Sequence, residues 1–428
     1  MEASIAMFFR PLFAWIVAVL VSACSGTPEP TTVQFWAMGR EGEAVAALLP
    51  EFERRHPGLR VQVQQIPWSA AHEKLLTAYA GGTLPDLFQV GNTWLPEFWA
   101  LRAIDSLEAR FSPVGVLPRE DFFPGILATN EIDGQLYGLP WYVDTRLLFY
   151  RKDLLARAGF AEPPRSWREW CAAMAAIRAL PNGEHYPLLL PMNEWQVPMI
   201  LGLQLGAAPL RDGDRYGNFR SPAFGKAFAF YLELFRQGFA PAVAEAQIAN
   251  LYQEFARGYV AMVITGPWNL GEFERRLPAD LKAQWATAPL PGPDAEYPGL
   301  SLAAGASLAL ARDSRHKAEA WKLMEFLAEP RWQVELYRRT GDLPARRSAW
   351  RSPELVAEPR VRAFAAQLER VVPVPRIPEW ERIAAKLAQY AEKAVRGELD
   401  AAAALAGLDA EVDRILEKRR WLLGRAAP

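Results

Sequence analysis

The chain has 428 residues, of which 51% are apolar and 23% charged, with 16 Trp, four His and two Cys. That length exceeds what one hydrophobic core usually serves, so two lobes are expected. A formal net charge of −1 gives no electrostatic reason to bind nucleic acid or an anionic membrane. The scattered His56, His72, His185 and His316, with no Cys pair, offer no metal-ligand spacing, and no cofactor is expected.

In chain order, Arg10 precedes an apolar run from Leu12 to Val21 that ends in the small residues Ser22 and Ala23. This reads as a secretory signal peptide over 1–23, shorter than the roughly 20 apolar residues a membrane span needs. The order Val21-Ser22-Ala23-Cys24 resembles a bacterial lipobox, which implies lipidation at Cys24 and a polar tether over 24–30. An ordinary signal peptide with a chance Cys at the junction is the alternative. With Cys24 assigned to lipid, Cys171 is the remaining cysteine; no internal disulfide can form, and its apolar helical setting predicts an inert core thiol.

Thr32 to Ala37 reads as a strand leading into a loop, then Val45, Leu48, Leu49 and Phe52 recur at helical spacing, with a kink expected at Pro50. After His56-Pro57-Gly58, Leu59, Val61 and Val63 alternate with polar residues as a half-buried strand. A helix through Leu75, Leu76 and Tyr79 should end at Gly81-Gly82, before a strand from Leu84 to Val90. This β-α-β-α-β order predicts an α/β fold with a parallel sheet. Ligands of such sheets bind beyond the carboxyl ends of the strands, which points to the loops Met38–Glu43 and Gly91–Trp94.

Further along, Asp133-Gly134 signals a hairpin, and Ser166-Trp167-Arg168-Glu169 has capping-box spacing ahead of a helix ending near Leu180. Ser221-Pro222 opens a helix whose Phe224, Phe228, Tyr231 and Phe235 make an apolar stripe, read as core. Leu405, Leu408, Val412 and Ile415 mark one more amphipathic helix, and no repeat of 20–50 residues recurs.

Several stretches in order carry a resemblance to a known family. They are Phe52-Glu53-Arg54-Arg55-His56-Pro57-Gly58, Leu84-Pro85-Asp86-Leu87, Asp133-Gly134-Gln135-Leu136-Tyr137-Gly138-Leu139-Pro140, Tyr150-Arg151-Lys152-Asp153-Leu154 and Gly266-Pro267-Trp268. The chain resembles the extracellular solute-binding proteins of bacterial ABC importers, of the carbohydrate-binding type related to maltose and trehalose receptors. The resemblance implies a periplasmic-binding-protein fold: two discontinuous α/β lobes joined by a hinge, with the ligand cleft between them. It places one lobe over 31–141 and 303–343, and the other over 144–300 and 346–428. It further implies a monomeric sugar receptor, lipid-anchored in the cell envelope at the outer face of the cytoplasmic membrane. Its partners would be permease transmembrane subunits served by a separate cytoplasmic ATPase.

Sugars need aromatic faces for their C–H patches and carboxylates, amides or Arg for their hydroxyls. On the resemblance, Trp268 is the stacking residue, Trp380 a second, and Asp144 a hydroxyl acceptor, with a structural Trp and a turn-capping Asp as alternatives. Trp141 and Tyr142 at the first crossover, Trp195, Arg376, Arg40 and Glu43 are further substrate-binding candidates, with Asn92, Asn269 and the backbone at Gly305. Asp86 is read equally as a ligand or as a structural acid holding a loop. The competing class is a secreted lipid-anchored glycoside hydrolase, which would need two carboxylates flanking a sugar bond. No nucleophile elbow, zinc signature or phosphate loop accompanies it. The same fold holding a non-sugar solute is the remaining reading.

Overall fold

The computed structural model describes residues 29–111, 117–181, 185–244, 247–248, 250–294 and 297–426. The expected signal peptide, Cys24 and most of the tether lie outside these residues.

Six strands make the first sheet, in the spatial order Leu343–Pro344, Leu139–Asp144, Ala304–Leu310, Leu87–Gly91, Thr31–Met38, Leu59–Ile66. Thr31–Met38 pairs in parallel with both Leu59–Ile66 and Leu87–Gly91, as the β-α-β-α-β reading requires. The other pairings are antiparallel. Period-2 alternation splits the side chains between two cores. Val33, Phe35 and Ala37 meet Val45, Leu48 and Phe52 of the helix Glu41–Arg55. Met38 joins Ile66, Phe88 and Leu75 of the helix Trp68–Ala80 on the opposite face.

Local rules account for most element ends. The helix Glu41–Arg55 carries Pro50 inside it. Pro50 and Ala46 both lie on its exposed side, so water can satisfy the Ala46 carbonyl that proline leaves unpaired. The third strand begins at Leu87, three residues later than expected. Asp133 and Gly134 take φ of +50° and +75°, the left-handed pair of a tight hairpin turn. The capping box is half formed. The Glu169 amide donates to Ser166 Oγ at 3.2 Å, but the Glu169 carboxylate accepts from the Arg165 amide at 2.8 Å instead of from Ser166. The helix Ala401–Ile415 is followed by a further one, Glu417–Ala426.

The second sheet has four strands, ordered Trp285–Ala288, Leu147–Arg151, Val260–Thr265, Tyr186–Leu189, with only the last pair parallel. Phe149 on one face stacks on Trp285 at 5.7 Å, beside Phe273 and Phe364. Leu148 and Tyr150 on the other face pack with Phe224, Phe228 and Tyr231, so that stripe is core. Cys171 lies half-buried beside the same core.

The chain leaves the first sheet at Asp144 and starts the second at Leu147, so Thr145 and Arg146 alone join them. It returns between Ala288 and Ala304, where Ser301–Leu302 pairs with Val371–Val372. Trp141 sits in the middle of a first-sheet strand, which runs on to Asp144. The helix Pro359–Leu368 then brings Val361, Phe364 and Leu368 to the core containing Phe149 and Trp285.

Gly305 makes this junction possible. Its φ is +142°, and a Cβ there would lie 2.3 Å from the Tyr142 carbonyl oxygen. Gly305→Ala is expected to destabilise the fold by about 1–3 kcal/mol, read as a lower urea midpoint; an unchanged midpoint would contradict the close approach.

Candidate functional site

A cleft of ≈ 660 Å³ lies between the two sheets, within the roughly 300–1,000 Å³ of small-molecule sites. On the first-lobe side it sits beyond the carboxyl ends of Thr31–Met38 and Leu87–Gly91. Thr31–Met38 has one parallel neighbour on each side, so the chain order reverses there and opens a crevice.

Glu41, in the first turn of its helix, forms the floor. Its Oε1 accepts from the Tyr142 hydroxyl at 2.8 Å and from Gln89 Nε2 and Trp68 Nε1, each at 3.3 Å. Gln89 also accepts from the Met38 amide at 2.7 Å and donates to the Tyr142 oxygen at 3.0 Å. The helix N-terminus and these donors together make a buried carboxylate tenable.

Two more acids share the cleft. Gly341 ends the helix Pro330–Thr340 at φ +90°, the left-handed C-terminal stop, and the next residue, Asp342, lines the cleft. Burial pushes the Asp342 carboxyl up, and the negative charges of Glu41 and Asp144 push it further. Burial also raises Asp144, against the opposing effect of Arg146, whose Nη1 donates to both Asp144 oxygens at 3.1 Å. The Tyr142 phenol is held well above its ordinary value, by burial first and then by the Glu41 charge.

Aromatic faces line the remaining walls. The Trp268 ring folds back over Gly266, where a Cβ would come within 1.8 Å of it, so Gly266-Pro267-Trp268 needs its glycine. Trp268 is 38% exposed, unusual for so large an apolar group and a reason to regard it as a ligand surface. The Arg146 guanidinium lies 4.4 Å over it. Trp68 and Trp94 meet edge to face at 5.7 Å. Across the cleft, Trp195 is held edge-on by the fully buried Trp380 at 5.5 Å. Arg40 bridges the lobes. Its Nη2 donates to the Arg339 carbonyl at 2.7 Å, and its Nη1 lies 3.8 Å from Glu272 on the helix Trp268–Arg276.

Of the sequence candidates, Arg40, Asn92, Tyr142, Asp144, Trp195, Trp268 and Gly305 line this cleft. The Asn92 amide is engaged by Thr129 and Ser307 at 2.7 and 2.8 Å. Six candidates stand elsewhere. Glu43 is exposed because two residues turn it away from the face that carries Glu41. Asp86 is structural, accepting from the Gln34 amide at 2.9 Å and Ser314 Oγ at 2.6 Å at the opposite end of the sheet. Trp141 is core, since alternation along its strand brings Tyr142 to the cleft instead. Asn269 is buried between Thr265 and Tyr252. Arg376 donates to the Ala128 and Glu131 carbonyls, and Trp380 supports Trp195 from behind.

Glu41, Trp68, Trp94, Arg146, Glu272 and Asp342 line the cleft without having been singled out. Glu41 and Trp94 stood inside the two loops that the sheet order indicated. Arg146 and Asp342 each adjoin an expected crossover, and Trp68 and Glu272 carried no local signal.

The family model described as bacterial extracellular solute-binding protein matches residues 37–334, and the chain belongs to that family. The solved structure of the sugar-binding protein MalE from the phytopathogen Xanthomonas citri is 47% identical, with a TM-score of 0.88, covering 92% of this chain and 99% of that one. A putative binding protein of Brucella abortus is 26% identical over 94% of this chain and 96% of its own length. The diacetylchitobiose binding protein DasA of Streptomyces coelicolor is 24% identical over 85% of this chain and 87% of its own.

A carboxyl raised on folding contributes stability at low pH that is lost as pH climbs from the ordinary carboxylate range through the raised value. Asp342→Asn should therefore raise the melting temperature of the unliganded protein more at alkaline than at acidic pH. An equal shift at both would show that Asp342 carries no buried charge penalty.

Proposed function

We propose that this chain is a sugar receptor of an ABC importer: it captures a mono- or oligosaccharide between its lobes and delivers it to a membrane permease. The observation that carries this reading is the meeting, in one cleft, of the exposed Trp268 face with the acids Asp144 and Asp342. A pyranose presents an apolar C–H face and a ring of hydroxyls, and that pair of surfaces complements it. Relatives named for diacetylchitobiose and galactooligosaccharide binding, and the MalE structure, support the ligand class.

In this reading the sugar stacks on Trp268 once Arg146 slides off the ring, and Asp144, Asp342 and Arg40 take its hydroxyls. Contacts from the second lobe then favour the closed form, by as much as the ligand prefers closed over open. Thr145-Arg146 and the passages near 297–303 and 345–352 serve as the hinge between a lobe over 31–144 and 304–344 and a lobe built on the remaining segments. Cys24 carries the lipid that holds the monomer near permease subunits, whose separate ATPase supplies the energy.

Binding is favoured over glycoside hydrolysis by the family resemblance and by the Asp144–Arg146 pair. Asp144 is paired with Arg146, and the family and the MalE structure that the chain resembles are binding proteins. Trp268→Ala should weaken binding of a cognate oligosaccharide by about tenfold or more, the equivalent of ~1.4 kcal/mol, in calorimetric titration. Unchanged affinity would remove Trp268 from the site.

A further inference from the structure

Besides the three chain passages that join the lobes, a short strap touches both of them next to the cleft. It begins at Val371–Val372, which pairs with Ser301–Leu302, and leads into the helix Trp380–Val395 of the second lobe. Val374, Ile377 and Trp380 belong to the second-lobe core. Pro373, Pro375 and Pro378 each fix a backbone angle, so the strap has little freedom left to lose when it is ordered. Arg376 stands exposed between the buried Val374 and Ile377, and its side chain reaches the other lobe.

There it meets the end of the first-lobe helix Pro124–Ala128. Its Nη1 donates to the Ala128 carbonyl at 2.9 Å and to the Glu131 carbonyl at 2.8 Å. Carbonyls in the last turn of a helix have no partner within it, and an Arg side chain can supply one. The strap is seated on the same helix at its start. A Cβ at Gly125 would lie 2.6 Å from the Val371 carbonyl oxygen, so the glycine admits the close approach. Val371 lies at the hinge, where it pairs with Ser301. Arg376 is five residues farther on, a reach of up to about 17 Å. A rotation of the lobes that leaves Val371 in place therefore draws Arg376 off its two carbonyls.

We propose that Arg376 is a positioning residue for closure: it clamps the second lobe to the Ala128 and Glu131 carbonyls as the lobes come together, and favours the closed form without touching the ligand. This rests on the reading that the lobes close around a sugar. It differs from the hydroxyl contact that the resemblance implies for Arg376, since Nη1 is engaged by both carbonyls and the residue stands outside the cleft lining. Arg376 instead borders a small gap together with Asn92, Thr93 and Val374, which do line the cleft. The clamp thus acts beside the walls that would hold the ligand. A receptor binds through its competent form, so losing the clamp lowers the closed population and the apparent affinity by the same factor.

Arg376→Met keeps the apolar stem and removes the donors. Small-angle X-ray scattering of the unliganded full chain reads closure without any sugar, and R376M should have a larger radius of gyration than wild type. Calorimetry then uses maltose, maltotriose and diacetylchitobiose. Whichever of them binds wild type should bind R376M severalfold more weakly. Unliganded dimensions equal to wild type overturn the proposal, and if binding is nonetheless weaker they make Arg376 a direct ligand contact. An opened R376M with unchanged affinity also overturns it, because closure would then contribute nothing to binding. If R376M does not fold, Arg376→Gln, uncharged and shorter, is read in the same way. Failure of wild type to bind any of the three sugars would count against the receptor reading instead, with the scattering of the unliganded chains still deciding the clamp.

Discussion

The buried carboxylate of Glu41 is the interaction on which the cleft depends. It closes the end of the first strand, receives the Tyr142 hydroxyl from the strand that leads to the second lobe, and meets Gln89 from Leu87–Gly91, the neighbour of the first strand. A carboxyl group buried on a cleft floor needs hydrogen-bond donors converging on it. Its three donors come from three separate segments, so these hydrogen bonds also fix their mutual positions. Trp68 is held by the same oxygen, which turns an aromatic wall of the cleft into part of the electrostatic floor.

From that floor follows a cleft whose polar groups are already engaged. Asp144 is paired with Arg146, Arg146 covers Trp268, and Arg40 reaches across to Glu272. A ligand must replace these contacts, and the replacement sets its selectivity. A neutral polyhydroxylated ring offers both acceptors and donors, and its apolar face can take the place of the guanidinium on Trp268. A solute lacking one of those surfaces would leave a buried acid or a bare indole, each of which is unfavourable. The junction itself is narrow. Two residues separate the last strand of the first sheet from the first strand of the second, and Gly305 lets a neighbouring strand press against the Tyr142 carbonyl.

The fold was largely legible because its signals are periodic or local. Alternation at Leu59–Val63, the Asp133-Gly134 turn and the stripe from Phe224 to Tyr231 each rest on side-chain direction along one element. The site was less legible, since it depends on which of two adjacent residues a strand or helix turns inward. The neighbours Trp141 and Tyr142 were both proposed, and alternation gives the cleft only Tyr142; Glu43 was proposed where helix geometry delivers Glu41. Arg376 and Trp380 were placed by resemblance, and here both act behind the cleft wall, one on carbonyls and one under Trp195. Trp68 and Glu272 reach the cleft through tertiary packing that no local pattern announces.

The central claim is that the cleft takes up a sugar by enclosing it and returns it unaltered. Native mass spectrometry of the mature protein incubated with maltooligosaccharides, and with chitin- and galactose-based oligosaccharides, addresses this most directly. The account predicts a one-to-one complex with at least one of these series, whose released ligand keeps its full mass after prolonged incubation. Cleaved sugar in the released fraction, or no complex with any series, would contradict it.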